Sequence, residues 1–295
     1  MIAIMGAAGN TGRRAAELLL DAGEKVRVLG RSAERLQDLA RRGAEVMTGE
    51  ATDAGYLATA FRGADAVYTL FPSDMQAPDL RAQQDRIGEA TVDAIRKSGV
   101  RFVVFLSSLG GELPTGTGPI AGLHAQEERL RSIQGTDALA LRPGYFFENT
   151  LGSLALIKHQ GINGGAIAAD LPISMVATRD IGEFAAKALR KRDWKGFTVR
   201  EILGQRDLSL REVTNILGRR LAKPDLRYVQ FGYADFVQAL VGMGLPAKTA
   251  EGYAEMGRAF NEGKIKSHEG RRTENTTPTR FEEFADRLVP VYESV

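Results

Sequence analysis

The chain has 295 residues, with 39 basic and 37 acidic side chains and a net charge of +2. That near-balance gives no electrostatic basis for direct nucleic-acid or membrane-surface binding, and the length suits one large domain or a domain with a smaller lobe. Cysteine is absent and the three histidines, His124, His159 and His268, are scattered, which excludes disulfides and thiol chemistry and indicates no metal site.

Residues 2–5 form a short apolar run that meets glycine at once, too short for a secretory leader. No stretch approaches the roughly 18 apolar residues of a membrane span, so the cytoplasm is the expected compartment. Further apolar runs follow at 25–29, 44–47, 66–70, 102–106 and 138–141. Helix-like stretches lie between them at 11–22, 33–41, 82–98 and 121–133. In the last of these, Leu123, Leu130 and Ile133 share a face. Strands apolar on both faces and separated by helices predict an α/β fold, a doubly wound parallel sheet of Rossmann type. Ligands of such sheets sit beyond the carboxyl ends of the strands.

Past Pro143 the alternation weakens. Residues 161–165 read as a turn-rich break, and a helix at 179–189 and a strand at 197–203 read as late additions to the sheet. Helices dominate beyond 209, with a polar loop at 261–278 and a last helix at 279–288. The expected organisation is a dinucleotide-binding domain over 1–150, with 171–208 returning to the sheet. A small, mostly helical C-terminal lobe, 209–295 plus 145–170, closes over it. Phe231, Tyr233 and Phe236 are expected in the core of that lobe.

The strongest local signal is Gly6-Ala7-Ala8-Gly9-Asn10-Thr11-Gly12, between the first strand and the first helix. Glycines there allow a tight turn and close approach of a pyrophosphate, and the helix N-terminus offers its amides to the anion. The second strand ends in Gly30-Arg31. NAD(H) sites usually place a carboxylate at that point, whereas a guanidinium suits a 2′-phosphate, so NADP(H) is favoured over NAD(H). Asp53 follows the third strand, where it reads equally as an adenine contact and as a helix N-cap.

These motifs, with Phe105-Leu106-Ser107-Ser108, the stretch from Leu141-Arg142-Pro143 to Glu148-Asn149, and the tail Asn275-Thr276-Thr277-Pro278-Thr279, resemble the atypical short-chain dehydrogenase/reductases. More narrowly they resemble the NmrA-like group, which includes NAD(P)H:quinone oxidoreductases and redox-sensing regulators. The resemblance implies NADP(H) binding at Gly6, Ala8, Gly9, Asn10, Thr11, Gly12 and Arg31. It also implies contacts to the nicotinamide end from Leu70, Phe71 and Pro72, from Ser107, and from Pro143, Gly144, Tyr145 and Phe146. The expected substrate is a quinone or similar small conjugated acceptor, with Tyr145, Phe147 and Asn149 beside it. A homodimer stays open.

The usual Tyr-x-x-x-Lys dyad of short-chain dehydrogenases is missing, because no tyrosine is followed by lysine four positions on. His124 is the candidate to supply or relay a proton, imidazole being the side-chain type that changes charge near neutral pH, with Glu127 or Glu128 on the same helix to orient it. Ser108, or its neighbour Ser107, is the candidate to hold a substrate oxygen. The alternative is a non-catalytic protein that senses the redox state of the nucleotide.

Overall fold

The computed structural model describes residues 1–72 and 74–295. The first half alternates β1 (Ile2–Ile4), α1 (Asn10–Asp21), β2 (Val26–Gly30), α2 (Gln37–Arg41), β3 (Glu45–Thr48), α3 (Ala54–Phe61), β4 (Ala66–Thr69), α4 (Leu80–Ser98), β5 (Phe102–Leu106), α5 (Ile120–Arg131) and β6 (Asp137–Pro143). The second half runs β7 (Tyr145–Phe146), α6 (Leu154–Gln160), β8 (Ile162–Gly165), β9 (Ile173–Val176), α7 (Thr178–Lys191), β10 (Phe197–Ile202), β11 (Asp207–Leu208), α8 (Leu210–Arg220), β12 (Arg227–Gln230), α9 (Tyr233–Gly242), α10 (Ala247–Asn261), α11 (Phe281–Asp286) and α12 (Leu288–Ser294).

Seven strands form one parallel sheet in the order β3-β2-β1-β4-β5-β6-β10. This is the Rossmann-type, doubly wound α/β arrangement, and the order reverses between β1 and β4. The central strands β1 and β4 are buried throughout, in keeping with their largely apolar sequences. One sheet face packs Ile2, Ile4 and Val28 against Ala15, Leu19, Ile181 and Leu189 of α1 and α7. The other packs Ala3, Val67 and Val103 against Leu57, Phe61, Ile95 and Leu130 of α3, α4 and α5. Leu130 and Ile133 lie in that core with Leu123 against it, the face read from their spacing.

A third core joins Phe147, Leu154 and Ile157 to Met175, Val213, Leu217, Phe260, Phe281 and Phe284. This region departs from the sequence reading in three places. Residues 162–165 are a strand, β8, paired in parallel with β12, and not a plain turn; Gly161 is only the left-handed cap of α6. In the 171–208 segment β10 joins the large sheet, but β9 pairs with β7 and β11 in a small separate sheet. Phe231, Tyr233 and Phe236 are only partly buried, and α9 has no buried residue, so they are not lobe core.

Among the described residues, no helix is long and apolar enough to cross a membrane.

Candidate functional site

The turn between β1 and α1 is built to leave amides open. Gly6 has φ +65°, a conformation that side chains disfavour. A Cβ on Gly12 would stand 2.6 Å from the Gly6 carbonyl oxygen, so the turn and helix pack only with glycine at that position. Helices α3, α4 and α8 are capped by side chains, from Asp53, Asp79 and Ser209. Helix α1 has no side-chain cap and no acidic residue in its first turn. Among the described residues nothing accepts from the amides of Ala8, Asn10, Thr11 and Gly12. Such a set of open N–H groups at a positive helix end is a receptor for a diphosphate. Beneath it the Tyr68 hydroxyl donates to Thr11 Oγ1 at 3.0 Å, tying the helix start to β4.

Arg31 stands exposed just past β2, with no ion pair or hydrogen bond among the described residues. A neighbour that the sequence reading missed is Arg35, whose Nη2 donates to the Ala8 carbonyl at 3.3 Å. Arg13 in turn donates to the Arg35 carbonyl at 2.7 Å. Arg35 and Arg13 therefore stand at the turn itself, and Arg31 follows β2, whose Leu29 carbonyl accepts from the Ala7 amide at 3.3 Å. Asp53 caps α3, accepting from the Gly55 and Tyr56 amides at 2.8 and 3.0 Å.

The loop after β4 lies against this turn, and the loops after β5 and β6 meet each other at the same end of the sheet. Leu70 packs 3.0 Å from where a Gly6 side chain would be, and Phe71 meets Phe105 edge-on at 5.7 Å. Pro143 ends β6, and its carbonyl accepts from Leu109 at 3.0 Å. Gly144 owes its lack of a side chain to β9, since a Cβ would stand 2.3 Å from the Ser174 carbonyl oxygen. The fold thus gathers the nucleotide-binding candidates at the carboxyl ends of the strands, where crevice ligands of such sheets bind.

The candidate chemical groups need several corrections. His124 lies on α5, but neither Glu127 nor Glu128 orients its ring. Its Nδ1 sits 3.0 Å from the Gly111 carbonyl oxygen, which can only accept, so Nδ1 carries the hydrogen and Nε2 of the neutral ring is left with a lone pair. Glu128 pairs with Arg131 at 3.2 Å. Glu127, 1% exposed, takes both Nε (2.9 Å) and Nη2 (2.6 Å) of Arg142. Ser107 is buried, and its hydroxyl donates to Glu127 at 2.5 Å, so it is not free for substrate. Ser108 is only partly buried and keeps that possibility.

Arg142 also donates from Nη1 to Glu112 at 2.8 Å. His268 Nε2, from the loop after α10, meets the other Glu112 oxygen at 2.8 Å. Burial works against the Arg142 charge. The bonds and attraction of Glu127, with Glu112 and Glu201, outweigh it and hold the guanidinium pKa above its ordinary value. The sequence reading missed this network, which locks β5, β6, α5 and the loop carrying Gly111 to one another.

The three consecutive aromatics go separate ways. Phe147 is 1% exposed and packs on Phe281 and Phe284 at 5.1 and 5.6 Å, so it is core and not a substrate contact. Phe146 packs against the α1 and α7 side of the sheet. Tyr145 faces the opposite way, toward the third core, with its ring 6.0 Å edge-on from Phe260. Asn149 is exposed beside the Tyr145 hydroxyl. A separate cavity of 680 Å³ lies between α4, α9 and α10, with Arg258 stacked 4.7 Å over Tyr233 at its wall. It shares no residue with the nucleotide turn. Among the described residues no cluster of three His, Asp or Glu side chains is placed to hold a metal ion.

Comparison with known proteins agrees with this geometry. The NmrA-like family matches residues 1–285. The chain belongs to this family. A (4-alkanoyl-5-oxo-2,5-dihydrofuran-3-yl)methyl phosphate reductase of Streptomyces griseus subsp. griseus is 32% identical over 255 residues, which is 86% of this chain and 85% of that protein. Quinone oxidoreductase 2 of Escherichia coli is 27% identical over 268 residues, 90% of each chain. The crystal structure of an NADPH-dependent quinone oxidoreductase from Escherichia coli, complexed with NADPH, superposes with a TM-score of 0.83 at 24% identity, covering 98% of this chain and 99% of that one.

Proposed function

We propose that this NmrA-like protein is an NADPH-dependent oxidoreductase that reduces quinones or similar conjugated carbonyl acceptors in the cleft beyond β4, β5 and β6. The observation that carries the reading is the α1 start, a glycine turn of open amides flanked by the unpaired Arg31 guanidinium. The relatives' names, a dihydrofuranone phosphate reductase and a quinone oxidoreductase, support the reaction class.

The residues fit the dinucleotide, because the Gly6 and Gly12 positions are ones a Cβ would fill. The turn would hold the diphosphate, Arg31 with Arg35 the 2′-phosphate, and Leu70, Phe71, Pro143 and Tyr145 would flank the nicotinamide. Bound in its reduced form, the cofactor supplies a hydride. The protein's part is to align a flat acceptor against Tyr145, keep water from the buried side of the cleft and manage the proton. With Nδ1–H held on the Gly111 carbonyl, Nε2 is the ring nitrogen of His124 left to exchange a proton with an acceptor oxygen. A quinone asks little more, since hydride addition gives a stabilised anion that solvent can protonate.

The test is NADPH oxidation across a panel of quinones, with titrations of NADPH and NADH. Turnover with at least one quinone and tighter binding of NADPH are expected. Absence of turnover with every acceptor, despite NADPH binding, would leave a redox-sensing role as the better account.

A further inference from the structure

The Gly111 carbonyl that meets His124 Nδ1 belongs to the planar peptide unit joining Gly111 to Glu112, so whatever holds these two residues aims that oxygen. On the Gly111 side the amide donates to the Ser108 carbonyl at 3.0 Å. The backbone there lies so close to the Ser107–Glu127 pair that a Cβ would stand 2.6 Å from Glu127 Oε1 and 2.8 Å from Ser107 Oγ. On the other side the Glu112 carboxylate is gripped at both oxygens. One takes Arg142 Nη1 at 2.8 Å, and the other meets His268 Nε2 at 2.8 Å.

His268 is fixed in its turn by the sheet. Glu201 of β10, 3% exposed, accepts from the His268 amide at 2.9 Å, from the Glu269 amide at 3.4 Å and from the Ser267 hydroxyl. Ser267 Oγ accepts from the Gly270 amide at 2.9 Å. The same loop packs Ile265 on Gly110, where a Cβ would stand 3.2 Å from Ile265 Cγ1. The loop after α10 thus wraps a buried carboxylate and presents one imidazole to Glu112. A histidine side chain free in water carries its hydrogen mostly on Nε2, so the Nδ1–H form of His124 has to be imposed.

Resting on the reading of His124 as the group that handles the proton, we propose that Glu112, gripped between Arg142 and His268, is a positioning residue. It aims the Gly111 carbonyl at His124, imposes the Nδ1–H tautomer and so leaves Nε2 to exchange the proton. With the hydride supplied by the reduced nucleotide, the acceptor oxygen takes one proton from protonated Nε2, and the ring is left neutral with its hydrogen on Nδ1. Glu112 acts only through that carbonyl.

The test reads the ring nitrogens of the full-length protein, labelled with nitrogen-15 histidine, by NMR at about pH 9, above the usual imidazole range. There are three histidines, and a His124→Gln variant identifies the signals of His124. The wild-type protein should show a protonated Nδ1 and a bare Nε2. Glu112→Ala should move most of the population to the Nε2–H form. Glu112→Gln keeps the length and an oxygen for Arg142, so it should restore most of the Nδ1–H form. His268→Ala, which removes an exposed ring and the outer half of the grip, should shift the population the same way as Glu112→Ala and replaces it should that variant not fold. Glu128→Gln, on the same helix as His124, should change nothing. A wild-type His124 with its hydrogen on Nε2 overturns the proposal. So does a tautomer that ignores Glu112→Ala and His268→Ala, or one that Glu112→Gln fails to restore.

Reduction of menadione by NADPH separates this proposal from the reading beneath it. Glu112→Ala should lower kcat about tenfold with KM for menadione nearly unchanged, because the proton donor is misaimed and the acceptor's own contacts are untouched. If His124→Gln reduces menadione as fast as the wild-type protein, the proton-handling reading of His124 fails while the control of its tautomer by Glu112 stands. If the tautomer does not answer to Glu112, the positioning fails whatever the turnover.

Discussion

Replacing Glu127 by alanine should be the most damaging single change in the sheet half of the molecule. Glu127 is 1% exposed and accepts three bonds, from Ser107 and from two nitrogens of Arg142. The variant leaves Arg142, 9% exposed, with Glu112 as its remaining close carboxylate, and leaves the Ser107 hydroxyl unpaired. Breaking a buried pair by deleting one partner costs about 3–5 kcal/mol, because the stranded charge has lost its water and gained nothing. For a chain of this length the unfolding entropy near the midpoint is about 0.6 kcal/mol per degree, so Tm should fall by about 5–8 °C. Circular dichroism melts and urea midpoints at constant pH would measure it. The double variant Glu127→Leu with Arg142→Met should recover much of the loss, since two apolar side chains of similar size leave no charge to desolvate. A drop of less than about 2 °C in the single variant would show that solvent reaches the pair and that the network is not buried in the sense argued above.

Arg31→Ala should weaken NADPH binding about ten- to a hundredfold and leave NADH nearly unchanged, because one charge-assisted contact to the 2′-phosphate is lost; equal losses by calorimetry would show another selector. Adding Arg35→Ala should widen the gap. Gly12→Ala must move the Gly6 carbonyl, 2.6 Å from the new methyl, so binding of both nucleotides should fall below detection in the same titration while the secondary structure persists. Alkaline pH should destabilise the fold. Burial raises Tyr56 and Tyr145 from 10.0 to about 12, and Tyr68 and Tyr228 further still. Above pH 10 the unfolded chain therefore binds fewer protons than the folded one, and stability falls as pH rises from about 10 to 12. Tm measured across that range should drop steeply, and Tyr68→Phe should flatten the slope. Asp180→Ala strips two bonds from Thr279, at 3.1 Å to its amide and 2.6 Å to its hydroxyl, and each stranded group costs about 1–3 kcal/mol. A faster protease cut between α10 and α11 is the expected sign.

The sheet half was readable because parallel strands buried on both faces are written as unbroken apolar runs, and β1, β4 and β5 are such runs. The second half was not, for reasons visible in particular residues. Strand β8 ends in two glycines, Gly164 and Gly165, and its partner β12 lies more than sixty residues away, so local pattern reads as a turn. Strands β7 and β11 are two residues each, below any periodic signal. Helix α9 carries Tyr233, Phe236 and Leu240 at helical spacing, yet no core reaches them. At the site, residue type located the glycine turn and Arg31. It could not reveal that Ser107 and Glu127 are bound to Arg142, because the ends of β5 and β6 and the middle of α5 meet only in three dimensions. Nor could it show that a main-chain carbonyl, Gly111, orients His124.

The residues that carried the family resemblance also serve a purpose different from the one their prominence suggests. Glu148 is half-buried and accepts from the Thr178 amide and hydroxyl at the first residue of α7. Burial raises its pKa, partly offset by those bonds and reinforced by Asp180 nearby. Asp180, two residues on, holds Thr279 from the C-terminal tail. The same tail passes Asn275 and Thr277 along the end of β10, where Leu203 donates to the Asn275 carbonyl at 2.8 Å and Thr277 to the Gly204 carbonyl at 3.3 Å. Gly204 admits this passage because a Cβ would stand 1.7 Å from the Met175 carbonyl oxygen. The Glu148 and Thr277–Thr279 signatures are thus two halves of one seam. They fasten the late segments to the start of α7, which packs on α1, the helix whose uncapped start is the proposed diphosphate site.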